Sequence, residues 1–494
     1  MNPVPDIRIR KGNNKGVNHK GEFILYWMIA NRRLRWNYSL DRVNQWAAEL
    51  DKPVVVLEAV TCAHEWACDR FHGFIIEGMK QNYKEAGNKN ILYYPFVEDE
   101  PGRGKGLVET WARRACLVVT DDYPAFFIPG MLNKISGKLP VLIELVDSNG
   151  LLPMDAAKRE FKTAYSFRRF LQKTLPSCIM DHPQKDPLKD LRLDRIKSLP
   201  GELTYKWPPA SLEFLENYPA ELKKLPIDHD VKIIEKAGGC GTGSRLLEVF
   251  INEKLPDYNE KRNHPEEDVT SNLSPYLHFG HISAHEIFHR MQDSEGWNPG
   301  KLGERAYGKK EGWWGMSKSA EAFLDQLTTW RELGFNICRF NSDYYKYASL
   351  PGWAKETLKI HELDEREYIY SLDEFEHAGT HDPLWNAAQM QLVREGRIHN
   401  YIRMLWGKKI LEWSTAPKEA LRTMIHLNNK YALDGRDPNS FSGIFWILGR
   451  YDRAWGPERE IFGKVRYMSS KNTSRKVKVS GYIERYAQAV NSID

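Results

Sequence analysis

The sequence predicts a Rossmann-like α/β domain followed by an all-α domain, and three observations predict it. Continuous apolar runs alternate with amphipathic segments in the first third. After Lys236 nearly every apolar pattern has a helical period. And 494 residues exceed what one core ordinarily organises.

The apolar runs are Phe23–Ile29, Pro53–Val60, Asn90–Phe96, Cys116–Thr120 and Pro140–Val146. Runs that are continuous rather than alternating mark strands covered on both faces, hence a parallel sheet. Leu40–Leu50, Phe71–Ala86 and Gly106–Ala115 supply the covering helices. This domain is placed at residues 21–180. Residues 1–20, polar and basic through Arg8, Arg10, Lys11, Lys15 and Lys20, are expected to form a disordered tail. No GxGxxG follows the first run, where Met28-Ile29-Ala30-Asn31-Arg32-Arg33 stands, so a standard dinucleotide site is not expected. Residues 181–235, rich in Pro, Lys and Asp, read as an inter-domain linker with some helix. In the helical domain, 236–494, helices are expected at Leu246–Leu255, Ala284–Met291, Ala320–Arg339, Leu384–Arg394, Tyr401–Trp413 and Pro417–Asn429. Gly238–Ser244 lacks the lysine of a Walker loop and reads as a flexible turn.

Apolar residues make up 41% and charged residues 28%, and no run of 18 apolar residues occurs. That composition describes a soluble globular protein without a membrane helix. The N-terminus lacks the apolar core of a signal peptide. Six scattered cysteines without a CxxC pair suit a reducing compartment and offer neither a metal site nor a four-cysteine iron–sulfur cluster. An intracellular monomer is expected, cytoplasmic, or nuclear if eukaryotic.

Net charge is only +5, but Trp446 to Arg485 holds ten Lys/Arg against four acids, interleaved with Trp446, Trp455, Tyr467 and Tyr482. Arg450, Arg453, Trp455, Lys464 and Arg466 are the candidates for a nucleic-acid surface. Thr270, Ser271, Asn272, Leu273 and Ser274 group hydroxyls and an amide just before a helix, with Ser274-Pro275 as N-cap and first-turn pair. A helix start with such donors can take an anion such as a pyrophosphate. Trp406 and Trp413 lie seven residues apart on one helix face, about 10 Å along the axis, with Trp385 on a neighbouring helix. Three indoles so placed either pack a core or relay an electron.

Tyr258, Asn272–Gly280, the Trp385–Trp413 stretch and Leu427–Asn439 together resemble the photolyase/cryptochrome family, and within it the class II cyclobutane pyrimidine dimer photolyases. Asp452–Gly456 and Gly463–Met468 strengthen the match. The resemblance is dense from Lys236 onward and looser before it. It implies a U-shaped FAD in the helical domain, its phosphates and ribityl chain held by Tyr258 and Thr270–Ser274. Arg403 and Asp434 would flank the isoalloxazine, Asn428 would face N5, and Asp437 lies in the same motif. Trp406, Trp385 and Trp413 would form a photoreduction chain. Trp330, Trp446 and Met404 would receive a pyrimidine dimer flipped out of double-stranded DNA. The first domain would carry an antenna chromophore such as a deazaflavin or folate. One departure stands out: Asp325-Gln326 occupies the place of paired glutamates, and Gln326 cannot be ionised or share a proton. The implied function is light-dependent repair of pyrimidine dimers. A cryptochrome-like photoreceptor is the alternative, and an ending soon after the motifs, at Asp494, favours the enzyme.

Overall fold

The computed structural model describes residues 3–189, 191–193 and 195–487. The chain divides into two compact units. The first comprises residues 1–158, 173–249 and 271–300; the second comprises 159–172, 250–270 and 301–494.

The first unit is built on a six-stranded sheet: β1 (Ile9–Lys11), β2 (Phe23–Met28), β3 (Val54–Val60), β4 (Ile91–Val97), β5 (Ala115–Asp121) and β6 (Ile143–Val146). The order is β1-β6-β5-β2-β3-β4, parallel throughout except for β1. Every residue of β2, β5 and β6 is buried, as continuous apolar strands require. Strand order reverses between β2 and β5, the point where such sheets ordinarily take a nucleotide. Here a carboxylate fills it. Asp121 Oδ2 accepts from the backbone N–H of Ile29, Ala30 and Asn31 at 3.0, 2.8 and 2.9 Å. Its Oδ1 accepts from Tyr26 and Ser39. The amides that a glycine fingerprint would aim at a pyrophosphate are thus already engaged.

Three boundaries differ from expectation. The basic tail is ordered from Pro3: Ile9–Lys11 pairs with β6, and the buried Arg8 guanidinium donates to the carbonyls of Asp147, Gly150 and Leu151. Met1 and Asn2 lie outside the described residues. The 181–235 stretch belongs to the first unit, where Leu215, Leu222 and Leu225 pack with Val60, Ile76 and Met79. Its Pro and Lys content masked three well-spaced leucines. Gly238–Ser244 does not form a free turn; a helix starts at Cys240, and the run from Cys240 to Val249 joins the first unit with Ser271–Gly300. Gly280 shows how closely that last segment packs: a Cβ there would lie 1.9 Å from the Ala30 carbonyl oxygen, and its φ is +70°.

The second unit is helical. Asp382 and Asp437 cap the helices Pro383–Glu395 and Pro438–Ile447, accepting from Leu384/Trp385 N–H and Asn439 N–H. Pro383, Pro417 and Pro438 each occupy a first helical position, where the missing N–H costs nothing. Lys318–Leu324 continues into a π-helical turn, Asp325–Trp330, and then Arg331–Phe340, so the single helix expected at 320–339 is wound more loosely in its middle. Gly407 admits a close contact between helices: a Cβ would sit 2.1 Å from Ile447 Cδ1. Among the described residues no helix is long and apolar enough to cross a membrane, and no three His, Cys, Asp or Glu cluster as metal ligands.

Candidate functional site

Arg403 lies in the first turn of the helix Asn400–Trp413, Asn428 near the end of Pro417–Tyr431, and Asp434 in the turn that follows. Folding brings the three together. Arg403 Nη1 donates to Asn428 Oδ1 at 3.1 Å, and Nη2 reaches Asp434 Oδ1 at 3.5 Å. The Asn428 amide donates in turn to Ser440 Oγ at 2.7 Å. Asn428 is buried, whereas the Arg403 and Asp434 side chains each remain 19% exposed. A guanidinium, a carboxylate and a fixed amide so joined offer alternating donors and acceptors, which fit the imide edge and central nitrogen of a flavin ring. Asp437 stands apart in role: its side chain caps the Pro438 helix.

The three tryptophans are buried and in sequence-remote contact. Trp385 Nε1 donates to the Trp406 carbonyl at 2.9 Å, and the Trp385 ring meets Trp413 edge-on at 6.0 Å between centroids. Trp406 Nε1 donates to Gln389 Oε1 at 3.0 Å, so its buried N–H is satisfied. Trp385 therefore stands between Trp406 and Trp413. Beyond Trp413 lie Tyr370 and His381, with ring centroids 5.7 and 5.0 Å away, joined by a 2.7 Å Tyr370 hydroxyl to His381 Nδ1 contact.

Trp330 closes the π-turn and Trp446 sits in the last turn of the Pro438 helix. Their rings stack face to face, 4.5 Å between centroids and 15° from parallel. Both remain partly exposed, as do Gln326 and Met404. The turn is anchored by its first residue: Arg168 grips Asp325 through Nε at 2.7 Å and Nη2 at 3.1 Å, both side chains buried. So the residue beside Gln326 is fixed by a bidentate pair, while Gln326 itself stays accessible.

Tyr258 is buried against Phe250 and Phe323, with the Arg262 guanidinium 5.6 Å from its ring. Burial pushes its phenol pKa up, with Arg262 opposing. Tyr258 and Thr270 belong to the second unit and Ser271, Asn272, Leu273 and Ser274 to the first. The helix there starts one residue earlier than expected. Ser274 is its first residue, Leu273 its N-cap without a side-chain cap, and Ser271 Oγ accepts from Leu273 N–H. Asn272 adopts φ +56°, which turns the chain into that helix.

Of the candidate nucleic-acid residues, four are exposed: Arg453, Trp455, Lys464 and Arg466. Trp455 carries two guanidinium groups on its ring, Arg453 at 4.7 Å and Arg466 at 5.3 Å, and its backbone N–H donates to the Lys464 carbonyl. Arg450 does not belong with them. It is buried, donates to the Tyr344 carbonyl and Ser349 Oγ, and packs 3.9 Å over Phe445. Its charge counts toward the basic run in sequence but does not reach the surface.

Sequence reasoning missed Gln389, Ser440, Arg168, Tyr370 and His381. Each acts by fixing or touching a candidate residue more than ten positions away, and no local pattern carries that information. No protein-family model matches the chain. It is similar to the deoxyribodipyrimidine photo-lyase of Methanothermobacter thermautotrophicus, 34% identical over 97% of each chain. It is 30% identical to the deoxyribodipyrimidine photo-lyase of Potorous tridactylus over 96% of this chain and 83% of that one. The fold resembles a bacterial class III photolyase from Agrobacterium tumefaciens, with a TM-score of 0.69, 16% identity, and coverage of 95% of this chain and 87% of that one. The chain therefore belongs to the photolyase/cryptochrome family, as an enzyme among its photo-lyases.

Proposed function

We propose that this chain is a class II photolyase that uses FAD and blue light to split cyclobutane pyrimidine dimers in double-stranded DNA. The observation that carries the reading is the stacked, partly exposed Trp330–Trp446 pair beside Gln326. Core aromatics bury their faces; two large parallel rings left partly open, on a turn that also carries a hydrogen-bonding amide, suit the two linked bases of a pyrimidine dimer. Flipping the dimer out of the duplex costs a few kcal/mol, a general figure for base-flipping enzymes, this family among them. A dimer stacks poorly in the helix, so the cost for it is lower.

Arg403, Asp434 and Asn428 would hold the flavin ring, with Asn428 facing N5 and Tyr258 and Thr270 of the same unit holding the phosphate and ribityl end. Bound FAD, when reduced and excited by light, would lend the electron that opens the cyclobutane ring and take it back once the two pyrimidines have separated, so that cleavage is redox-neutral. Asn428 is suited to its place because its amide is neutral, and Arg403 on its oxygen and Ser440 on its nitrogen hold it in one orientation. Trp406, Trp385 and Trp413 give a path by which electrons reach the ring from outside. Gln326 donates a hydrogen bond to the lesion without sharing a proton. Trp330, Trp446 and Met404 exclude water from it. Arg453, Trp455, Lys464 and Arg466 bind the DNA, and an antenna chromophore, deazaflavin or folate, would sit in the first unit.

The test mixes purified protein carrying reduced FAD with an oligonucleotide bearing one thymine dimer. Recovery of thymine absorbance under blue light, absent in the dark, supports the reading. No recovery from protein whose FAD is bound and photoreducible overturns it and points to a photoreceptor.

A further inference from the structure

We propose that the outer face of the helix Ala164–Thr174, together with the loop Tyr307–Lys310 seated on it, is a second phosphate-binding strip for the duplex flanking the lesion. The proposal rests on the DNA-repair reading above.

The strip begins as a spacing. Lys162, Tyr165 and Arg169 follow one another at intervals of three and four, so they share one side of the helix and its approach. All three are exposed, Tyr165 to 57%. The opposite side buries Phe167, Arg168, Leu171 and Gln172. Two of those buried side chains reach across to fix the loop. Gln172 Oε1 accepts from Gly308 N–H at 2.7 Å, Gln172 Nε2 donates to the Lys309 carbonyl at 3.0 Å, and Arg168 Nη1 donates to the Gly308 carbonyl at 3.3 Å. Gly308 lies against Tyr165, where a Cβ would come within 3.0 Å of the ring. The loop thereby adds Tyr307, 51% exposed, and the exposed Lys309 and Lys310 to the same surface.

Four of these groups are cations, and among the described residues none is in an ion pair. The acids nearest in sequence are Glu160, engaged by Asn341 Nδ2, and Glu311, at the far end of the loop. An ordinary solvated face intersperses both signs and keeps its aromatics in. Here two tyrosines stand out among unpaired cations on a backbone held by buried side chains. That combination suits a polyanion with a regular spacing of charge and sugar surfaces to pack on. The strip is also tied to the lesion site, because the guanidinium of Arg168 that holds Gly308 is the one that grips Asp325, the first residue of the turn carrying Gln326 and Trp330.

The test is a Lys162→Gln, Arg169→Gln, Lys309→Gln, Lys310→Gln variant of the flavin-loaded protein, its fold checked by circular dichroism and flavin absorbance. Binding is followed by anisotropy across a salt series, on a lesion duplex of about 30 base pairs and on a five-nucleotide single strand bearing the same dimer. Each phosphate contact contributes about −0.9 to the slope of log K against log salt. The expected result is a duplex slope shallower by up to about 3.6, a duplex affinity lower by about tenfold or more at ~0.1 M salt, and an unchanged short strand. A variant with arginine at all four positions should keep the parent's slope. An unchanged duplex slope overturns the strip, as does an equal loss on the short strand. A parent protein that does not prefer lesion DNA overturns the repair reading, whereas a parent that prefers it, with an unchanged duplex slope in the variant, overturns the strip alone.

Discussion

Trp330 and Trp446 lie 116 positions apart in sequence, yet their rings are parallel to within 15° at 4.5 Å. Each covers one face of the other and leaves the pair partly open to solvent. Base–aromatic stacking contributes about 1–3 kcal/mol per base. Trp446→Ala should therefore weaken binding of a dimer-bearing duplex by roughly five- to 150-fold. Trp446→Phe should keep most of the affinity, and an undamaged duplex should bind both as before. Titration of labelled duplexes decides it; equal losses on damaged and undamaged DNA would make Trp446 a packing residue.

Gln326 shares the π-turn with Trp330 and is accessible, while Asp325 beside it is locked to Arg168. A carboxyl at 326 can be protonated and so share its proton with negative charge arriving on the lesion, which an amide cannot do. Gln326→Glu should raise dimers split per absorbed photon by a few-fold at mildly acidic pH, with the gain fading as pH rises and the carboxyl ionises. Quantum yields of parent and variant at several pH values measure this. A uniform drop at all pH values would mean that the amide itself is what the lesion needs.

Trp406 is buried, donates to Gln389 and accepts from Trp385 at its carbonyl. Trp406→Phe keeps an aromatic side chain, smaller than the indole, but strands Gln389 Oε1, a loss of about 1–3 kcal/mol in stability. Photoreduction of oxidised FAD should be blocked, while repair by chemically pre-reduced enzyme persists. Flavin bleaching under blue light and repair of a dimer-bearing oligonucleotide are the two readouts. Loss of both would assign Trp406 a structural part.

The parallel sheet was legible because its buried strands read as unbroken apolar runs, and Val54–Val60 falls within a residue of the run that predicts it. β1 was not, since three residues flanked by a buried arginine carry no apolar signal. The π-turn at Asp325–Trp330 was hidden for a different reason: one extra residue per turn leaves the helical period almost unchanged over so short a span. In the site, Arg403, Asn428 and Asp434 were placed by motif resemblance, and folding brings them within hydrogen-bond reach. The partners Ser440, Gln389 and Arg168 depend on which helices pack together, and that is written in no single segment. Arg450 misled because charge was counted along the chain, where burial cannot be seen.

Arg450 and Arg466 should therefore separate cleanly. Arg450→Gln removes the guanidinium donor from the Tyr344 carbonyl and the Ser349 hydroxyl in a buried setting, at a cost of about 1–3 kcal/mol. Its urea midpoint should fall, while the DNA affinity of the folded protein and its salt slope stay put. Arg466→Gln removes an exposed cation from the Trp455 ring. It should leave the urea midpoint alone and make the salt slope shallower by about 0.9. The reverse assignment of effects would return Arg450 to the DNA surface.

Lys408 follows Trp406 by two positions, is buried, and donates to the Ile447 carbonyl at the end of the helix that carries Trp446. Burial lowers its pKa from 10.5 to about 7, with Asp452 opposing and Arg466 adding to the fall. The unfolded chain keeps its proton up to about 10.5, so between about 7 and 10.5 the unfolded state binds more protons than the folded one. Stability then rises with pH across that window, and below it the full cost of burying the charge is present. Lys408→Met removes the titration together with its hydrogen bond. The parent should gain a few kcal/mol relative to the variant between pH 7 and pH 9.5, with urea unfolding of both proteins at the two pH values as the measurement. Parallel pH dependence in the two would mean that Lys408 keeps its charge in the folded protein, and that the Ile447 carbonyl is held by an ammonium throughout.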